Sequence, residues 1–365
     1  MNRTLAVVAA LALAILAAGC APKAVQNGQK GSPSAVPFSE LQVPPLDTAD
    51  LVSDTVGYVG GQGAILKSTD GGQTWAKLYT CPDNVVSVDA VDDANVWAAT
   101  GDYLLHSTDG CSFQGVDPAI TAGRDGKGIS AIDFVSLDQG YILADGVIWR
   151  LTNGRDVQRA TPPGRVDSMS FVDPNHGFAA GANTVYKTSD GGSTWARVFA
   201  APVESPSYWR ALIRAGSAEN ACLMVYGGDA GAGHVGYVVF HTKDGKHFVP
   251  VIDEAYIGQT DYPTVHLDNS RNLVIRPGTI TVHGDRDAFF VGFGGADLFL
   301  IRTVDNGKNF TSFDIGSQGD TLTDTGLPVS LSFADTMHGW LVGTNNNGQG
   351  VILHTTDGKT FKPAT

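Results

Sequence analysis

The sequence predicts an all-β protein, a seven-bladed β-propeller of four-stranded antiparallel blades. Three observations predict it. Glycine is 45 of 365 residues, roughly 12% against a usual value of about 7%. There is no collagen period, and Thr, Val and aromatics stand between the glycines, which marks many short strands and tight turns. A short motif with an Asp-Gly turn and a following aromatic recurs along the chain. Its spacing, about 46 residues per unit, matches the 40–50 or so that a four-stranded blade takes.

The motif reads Lys67-Ser-Thr-Asp70-Gly-Gly-Gln-Thr-Trp75 and again Lys187-Thr-Ser-Asp190-Gly-Gly-Ser-Thr-Trp195. Looser copies surround Asp109, Asp244, Asp305 and Asp357, with Phe113, Phe248, Phe310 and Phe361 as their aromatics. In the copies at Asp109, Asp244 and Asp357 the aromatic comes one residue earlier. The physics is that of a hairpin. Asp accepts backbone N–H groups of the turn it opens. Gly, or Asn306 in one copy, supplies the left-handed backbone position. The aromatic begins the return strand and can wedge between sheets. The aspartates are therefore expected to be structural.

A second pattern precedes most copies: apolar, Asp or Ser, a few polar residues, Gly, aromatic. Phe171-Val-Asp173-Pro-Asn-His-Gly177-Phe178 and Phe333-Ala-Asp335-Thr-Met-His-Gly339-Trp340 are the clearest. Each reads as strand, turn, strand. The interval between Asp109 and Asp190 is twice the usual one, and Asn153-Gly154 within it is taken as a seventh unit, Asn replacing Asp. The expected blades are 46–80, 84–115, 129–160, 166–200, 208–251, 273–314 and 328–363. Six blades with an insert is the alternative count.

Together these motifs resemble the Asp-box, or BNR, repeat found in sialidases, sortilin-type receptors and Ycf48-like photosystem assembly factors. The resemblance covers nearly all of residues 46–363. It implies a propeller, and it implies no particular activity.

The N-terminus carries an export signal. Arg3 precedes the apolar run Leu5–Ala18, too short to span a bilayer of about 30 Å and well sized for a signal peptide. The run ends Leu16-Ala17-Ala18-Gly19-Cys20, which resembles the lipobox of bacterial lipoproteins, with Cys20 as the lipidated residue; Ala17 stands where that family usually has Leu. A plain secretory signal is the alternative. Residues 1–20 are thus expected to be the signal peptide. Residues 21–45, with Pro22, Pro33, Pro37, Pro44 and Pro45, read as a flexible tether, and 46–363 as the propeller. The expected address is the cell envelope, outside the cytoplasm and anchored to a bacterial membrane.

Net charge is −13, which argues against a nucleic-acid partner. In a four-stranded blade the regular Asp/Gly turns share one face. The links of irregular length fall on the opposite face, where binding usually resides. Tyr208, Trp209 and Arg210 enter that face, as does the long segment holding Tyr256, Asp261, Tyr262 and His266, and Tyr, Trp and Arg are favoured interface anchors. Cys81 and Cys111 should lie at opposite ends of a strand, too far apart to bridge, and Cys222 reads as a buried strand residue.

Catalytic patterns are missing from the sequence: there is no Gly-x-Ser-x-Gly, no His-Glu-x-x-His and no P-loop. His106, His241 and His354 recur beside the motif, which marks a structural position. Asp89, Asp92 and Asp93 lack calcium-loop spacing. No metal and no cofactor is expected. The sequence therefore reads as a non-enzymatic scaffold or assembly factor for a protein or peptide partner. A glycan-binding or sialidase-like propeller is the alternative.

Overall fold

A computed structural model describes residues 33–116, 128–203, 209–227, 235–253, 276–294, 297–315, 322 and 329–365. The fold is all-β: a propeller of four-stranded antiparallel blades. Five separate four-stranded sheets follow a longer first sheet. The second holds Ile129–Phe134, Gln139–Ala144, Val147–Thr152 and Asp156–Arg159 (β8–β11). The third spans Ser168 to Ala200 (β12–β15), the fourth Trp209 to Asp253 (β16–β19), the fifth Arg276 to Asp314 (β20–β23), and the sixth Ser330 to Pro363 (β24–β27). These limits fall within a few residues of the expected units.

The first sheet has seven strands in the order β2-β3-β4-β5-β6-β7, with β1 (Val36–Pro37) added beside β4. Its members β3 (Gly57–Ser68) and β4 (Thr74–Ala90) are long and change partner along their length. The first part of β3 pairs with β2 (Leu46–Leu51) and the second with β4. The far part of β4 pairs with β5 (Val96–Thr100), which leads to β6 (Leu104–Ser107) and β7 (Gln114–Val116).

The sheets close into a ring. Ala49 N–H donates to Ser330 Oγ at 3.1 Å and Leu51 N–H to Ser332 Oγ at 3.0 Å, so the sixth sheet meets the first. Between the sheets the core is aromatic. Trp97 stacks on Phe134, Tyr141 on Phe171 and Phe289 on Phe333, each ring from one unit lying on the next. The glycine of each Gly-aromatic pattern makes room: a Cβ on Gly177 would lie 2.3 Å from the Phe171 ring.

The aspartate turns form as their sequence requires. Asp70 Oδ1 accepts the N–H groups of Gln73 and Thr74, and Oδ2 accepts Thr74 Oγ1 at 2.6 Å. In the shorter copy, Asp109 takes the N–H groups of Cys111 and Ser112, one residue earlier. That shift explains why the aromatic also arrives one residue sooner. The aromatics do wedge against the preceding unit. Trp75 lies 4.8 Å from Trp340 of the sixth sheet, and Phe248 lies 5.1 Å from Phe199 of the third.

Five of the aspartate turns are tied to the turn between the first two strands of their own unit. Gly71 N–H donates to Thr55 O, Gly191 to Asn175 O and Gly245 to Glu219 O, all within 2.9 Å. Both regular motifs therefore share one face. Asn153 makes the same bond, to Asp138 O at 2.8 Å, with φ 52°. It takes the left-handed conformation that Gly71 and Asn306 take in their turns. Arg150 pairs with Tyr141 as Lys187 pairs with Phe178, so Asn153 stands three residues after the repeat cation, as Asp190 does, and this turn reaches its left-handed position one residue sooner.

Residues 36–45, expected to belong to a flexible tether, are instead packed on the ring. Val36 and Pro37 pair with Trp75 and Thr74. Phe38 N–H donates to Thr365 O at 2.7 Å, Gly350 N–H to Val43 O, and Gln62 N–H to Pro45 O. Phe38, Leu41 and Val43 pack into the core shared by the first and sixth sheets. Residues 36–45 form a strap across the closing seam, because their apolar side chains bury there. All four strands of the sixth sheet come from the C-terminal part of the chain.

The histidines of the repeat position share it with cations. Lys67, Arg150, Lys187 and Arg302 stand where His106, His241 and His354 do. Arg302 donates to Gly358 O at 2.7 Å and Arg150 to Gly191 O at 3.4 Å, each reaching the turn of the next unit. His241 is buried, bonded through Nε2 to Asn220 Oδ1 at 2.7 Å, and burial lowers its pKa to about 4. Cys222 is likewise buried. The Cys81 side chain lies outside the described residues, as does Cys20.

Candidate functional site at the channel

The innermost strands line the axis of the ring, and one position repeats along them. Side chains there reach the backbone of the next inner strand. Asp50 Oδ2 accepts Ala90 N–H at 2.7 Å, and Asp133 Oδ2 accepts Phe171 N–H at 2.7 Å. Asp89 accepts Phe134 N–H, and Ser170 Oγ accepts Ala215 N–H at 3.1 Å. Arg214 follows in the fourth sheet, where Nη1 donates to Ile213 O at 2.9 Å. One side of the channel is thus walled by three carboxylates, the other by a guanidinium.

Burial sets their protonation. It raises the Asp50 carboxyl above the usual range, and raises Asp89 well above it, where the Asp50 and Asp133 charges add to the effect. Asp133 rises to about 7, with burial the largest cause and the Arg214 charge opposing. Burial lowers the Arg214 pKa while the Asp133 charge supports ionisation. Closely placed carboxylates deep in protein cannot all ionise.

Nearer the irregular face the same wall carries a second cluster. Asp167, its side chain 7% exposed, accepts Arg165 Nε at 2.7 Å and Arg210 Nη1 at 3.4 Å. It also takes the N–H groups of Ala182 and Ala211. The buried carboxylate holds two arginines at the mouth, with Arg210 64% exposed. Tyr226 is the cross-strand partner of Arg210, and burial raises its pKa. Two guanidinium groups positioned by one carboxylate suit an anionic or carbonyl-rich ligand.

Of the sequence-predicted rim residues, Arg210 is on this surface. Trp209 is not. It is 5% exposed, in the core with Phe178, Ala201 and Phe240. Strand alternation decides this: Trp209, Ala211 and Ile213 face the sheet core, and Arg210 between them faces out. Tyr208, Tyr256, Asp261, Tyr262 and His266 lie outside the described residues. The turn aspartates are spent on their own turns, and all six of their aromatics pack in or against the core clusters.

Sequence reasoning missed Asp50, Asp133, Asp167, Arg165 and Arg214. A signal was present. Ala49-Asp50-Leu51, Val88-Asp89-Ala90 and Ile132-Asp133-Phe134 repeat an apolar–Asp–apolar triplet at the end of each inner strand. Among the described residues no three His, Cys, Asp or Glu side chains are grouped to hold a metal ion.

The ring of four-stranded blades places the chain in the β-propeller class. No family model matches it. Part of it is similar to the photosystem II assembly lipoprotein Ycf48 of Prochlorococcus marinus strain MIT 9313, 31% identical over 150 residues. Those residues span 36% of this chain and 42% of that relative, so the match covers less than half of the relative's length. Among solved structures, YCF48 from Cyanidioschyzon merolae aligns with a TM-score of 0.58 at 15% identity, over 89% of this chain and 98% of that one. A YCF48 bound to a D1 peptide aligns with a TM-score of 0.56 at 14% identity, over 90% and 98%. An ancestral GH74 enzyme aligns with a TM-score of 0.57 at 14% identity, over 88% of this chain but only 46% of the enzyme. These structural likenesses concern the fold.

Proposed function

We propose that this protein is a lipid-anchored, extracytoplasmic propeller that holds a protein or peptide partner on the rim opposite its aspartate turns, without catalysing a reaction. The observation that carries the reading is the arginine pair at the channel mouth, Arg165 and Arg210 on the buried Asp167 carboxylate. The partial likeness to an assembly lipoprotein, and the fold shared with a propeller that holds a peptide, support a scaffold. Lipidation at Cys20 rests on the lipobox-like sequence.

The ring is read as seven blades. β3 and β4 each change partner midway, so the first sheet resolves into two four-stranded blades joined through β4. Gly63, with φ 77°, sits where β3 changes partner. The aspartate turns are read as Asp-boxes on their shared hydrogen-bond pattern. A hydrolase reading finds little support: the turn carboxylates are engaged by their own backbone, and the GH74 likeness covers under half of that enzyme.

The test is a photo-crosslinking residue placed at Arg210 or, on the aspartate-turn face, at Ser193. Adducts with an envelope protein are expected at Arg210 and not at Ser193. Adducts confined to Ser193, or none at Arg210 under conditions that crosslink a known complex, would remove the rim as the binding surface.

A further inference from the structure

We propose that the seam between the fourth and fifth sheets binds a soft monovalent metal ion, Cu(I), on Cys222 Sγ and His241 Nδ1, with the Met224 thioether beside them. The site is independent of the arginine-bearing rim, and three observations carry it.

The first is a break in the repeat. In six units an aromatic side chain faces the repeat cation or histidine across the strands: Tyr58, Trp97, Tyr141, Phe178, Phe289 and Trp340. In the fourth sheet that place is held by Cys222, directly opposite His241. His106, at the matching position, stacks on Trp97 with ring centroids 3.8 Å apart, so the same register sets the His241 imidazole over the thiol. Residues opposed in this way have Cβ atoms about 5 Å apart. One ion bridges that span through metal–nitrogen and metal–sulfur bonds of about 2.0 and 2.3 Å. Arg214, on the other side of Cys222, spends Nη1 on Ile213 O and on Ser168 Oγ of the third sheet.

The second is a bare nitrogen. Asn220 Nδ2 donates to Gly284 O at 2.9 Å, which fixes its Oδ1 as an acceptor. His241 Nε2 therefore carries the proton and donates to that Oδ1 at 2.7 Å. Nδ1 is left with its lone pair. It is buried without a hydrogen-bond partner, in a residue 1% exposed. Gly307 of the fifth sheet leaves room at this nitrogen, since a Cβ there would lie 2.7 Å from it. An imidazole whose far nitrogen is held by an amide oxygen is oriented as metal-ligating histidines are.

The third is the company of the thiol. Met224 follows Cys222 by two residues and points the same way. Both lie in the core shared by the fourth and fifth sheets, 3% and 1% exposed. A thiolate, a thioether and an imidazole form a soft donor set, which favours Cu(I) over magnesium, calcium or manganese. Charge selects the valence. Cu(I) and one thiolate sum to zero, which an apolar seam accepts, whereas a divalent ion would leave a buried charge. Burial pushes the Cys222 thiol up to about 12, so it keeps its proton until the ion arrives. Binding forms the Cu–S bond, breaks the S–H bond and passes that proton to solvent, with no electron transferred. His241 gives only its lone pair. The ligands are buried, so the ion enters as the two sheets part locally, and loading should be slow.

The test is an anaerobic Cu(I) titration of the full chain in detergent, with bicinchoninate as the competing ligand. Cys20→Ser, Cys81→Ser and Cys111→Ser leave Cys222 as the remaining thiol. One ion bound per chain, one proton released per ion, and a melting temperature that rises with free Cu(I) are expected. Cys222→Ser should abolish uptake. Asn220→Ala, which frees the imidazole to change tautomer, should weaken it about 10–100-fold, and His241→Gln and Met224→Leu at least ten-fold. X-ray absorption of the loaded parent, with sulfur and nitrogen bound to copper, supplies the same answer where a variant does not fold. If Cys222 and Met224 only fill the space of the missing ring, the folded parent takes up no ion, and the proposal falls. Uptake that survives Cys222→Ser, copper without sulfur ligands, or tighter binding of Zn(II) than of Cu(I) would equally overturn it.

Discussion

Two sets of aspartates put one side chain to opposite use. In the turns, Asp190 and Asp305 are held at about 2 by the hydrogen bonds of Thr194 and Asn309. On the channel wall, Asp133 is pushed up to about 7 by burial. The difference is one of donors against solvent. A turn carboxylate receives several N–H and O–H groups and keeps its water. Asp133 receives one backbone N–H, lies deep in the ring and feels the Asp50 charge. The lesson is that neighbours and depth, not residue type, decide whether a carboxylate builds a fold as an anion or shares a proton.

Trp75→Ala calibrates the scale, since it spares both sets. Its ring is fully buried against Trp340, so the loss should be about 3–5 kcal/mol in a denaturant titration. A smaller loss would mean that the seam is held by the strap more than by the wedge.

The comparison itself is tested by pH. A raised carboxyl pKa stabilises the folded state below the unfolded value, and that stability disappears as pH rises through about 7. Lowering pH from 8 to 5 should therefore gain stability through Asp133, on the order of a few kcal/mol. Asp133→Asn keeps an acceptor for Phe171 N–H, removes the charge and should flatten that gain. An unchanged pH profile in the variant would break the contrast between wall and turn.

His241 works against this gain. Its pKa is lowered by burial to about 4, so its contribution is present above about 6.5 and is lost as pH falls toward 4. His241→Gln should lessen the acid loss in that window by about 2 kcal/mol, read in the same titration. Asp70→Ala should cost least, about 1 kcal/mol at neutral pH, comparable to losing a helix cap. Burial opposes ionisation of Asp70, but the Thr74, Ser68 and Gln73 hydrogen bonds outweigh it and lower its pKa. The gap to the wild type should close as pH falls below about 3.8. A gap that persists in acid would assign the effect to packing.

The turn motifs were legible because hairpin chemistry is local. Asp70 finds its donors within four residues and Gly71 adopts φ 74° by its own freedom. Asn153 stands where the strand register puts the aspartate but takes the left-handed conformation: Asn serves either as an acceptor or in that conformation, and only the bond to Asp138 O decides between them. Trp209 was misread because an aromatic at a strand start can face either side, and the next sheet settles which.

The sequence alone determined the repeats, the turn chemistry and the shared face of the motifs, since each depends on contacts within a few residues. Only the tertiary structure decided that Asp50, Asp89 and Asp133 share one wall, that Asp167 holds two arginines, and that residues 36–45 clasp the seam. Apart from the adjacent Arg165 and Asp167, most of those contacts join residues distant in sequence, as Phe171 to Asp133 and Phe38 to Thr365 do. Burial and charge coupling at that separation arise when the ring closes, and no local pattern encodes them.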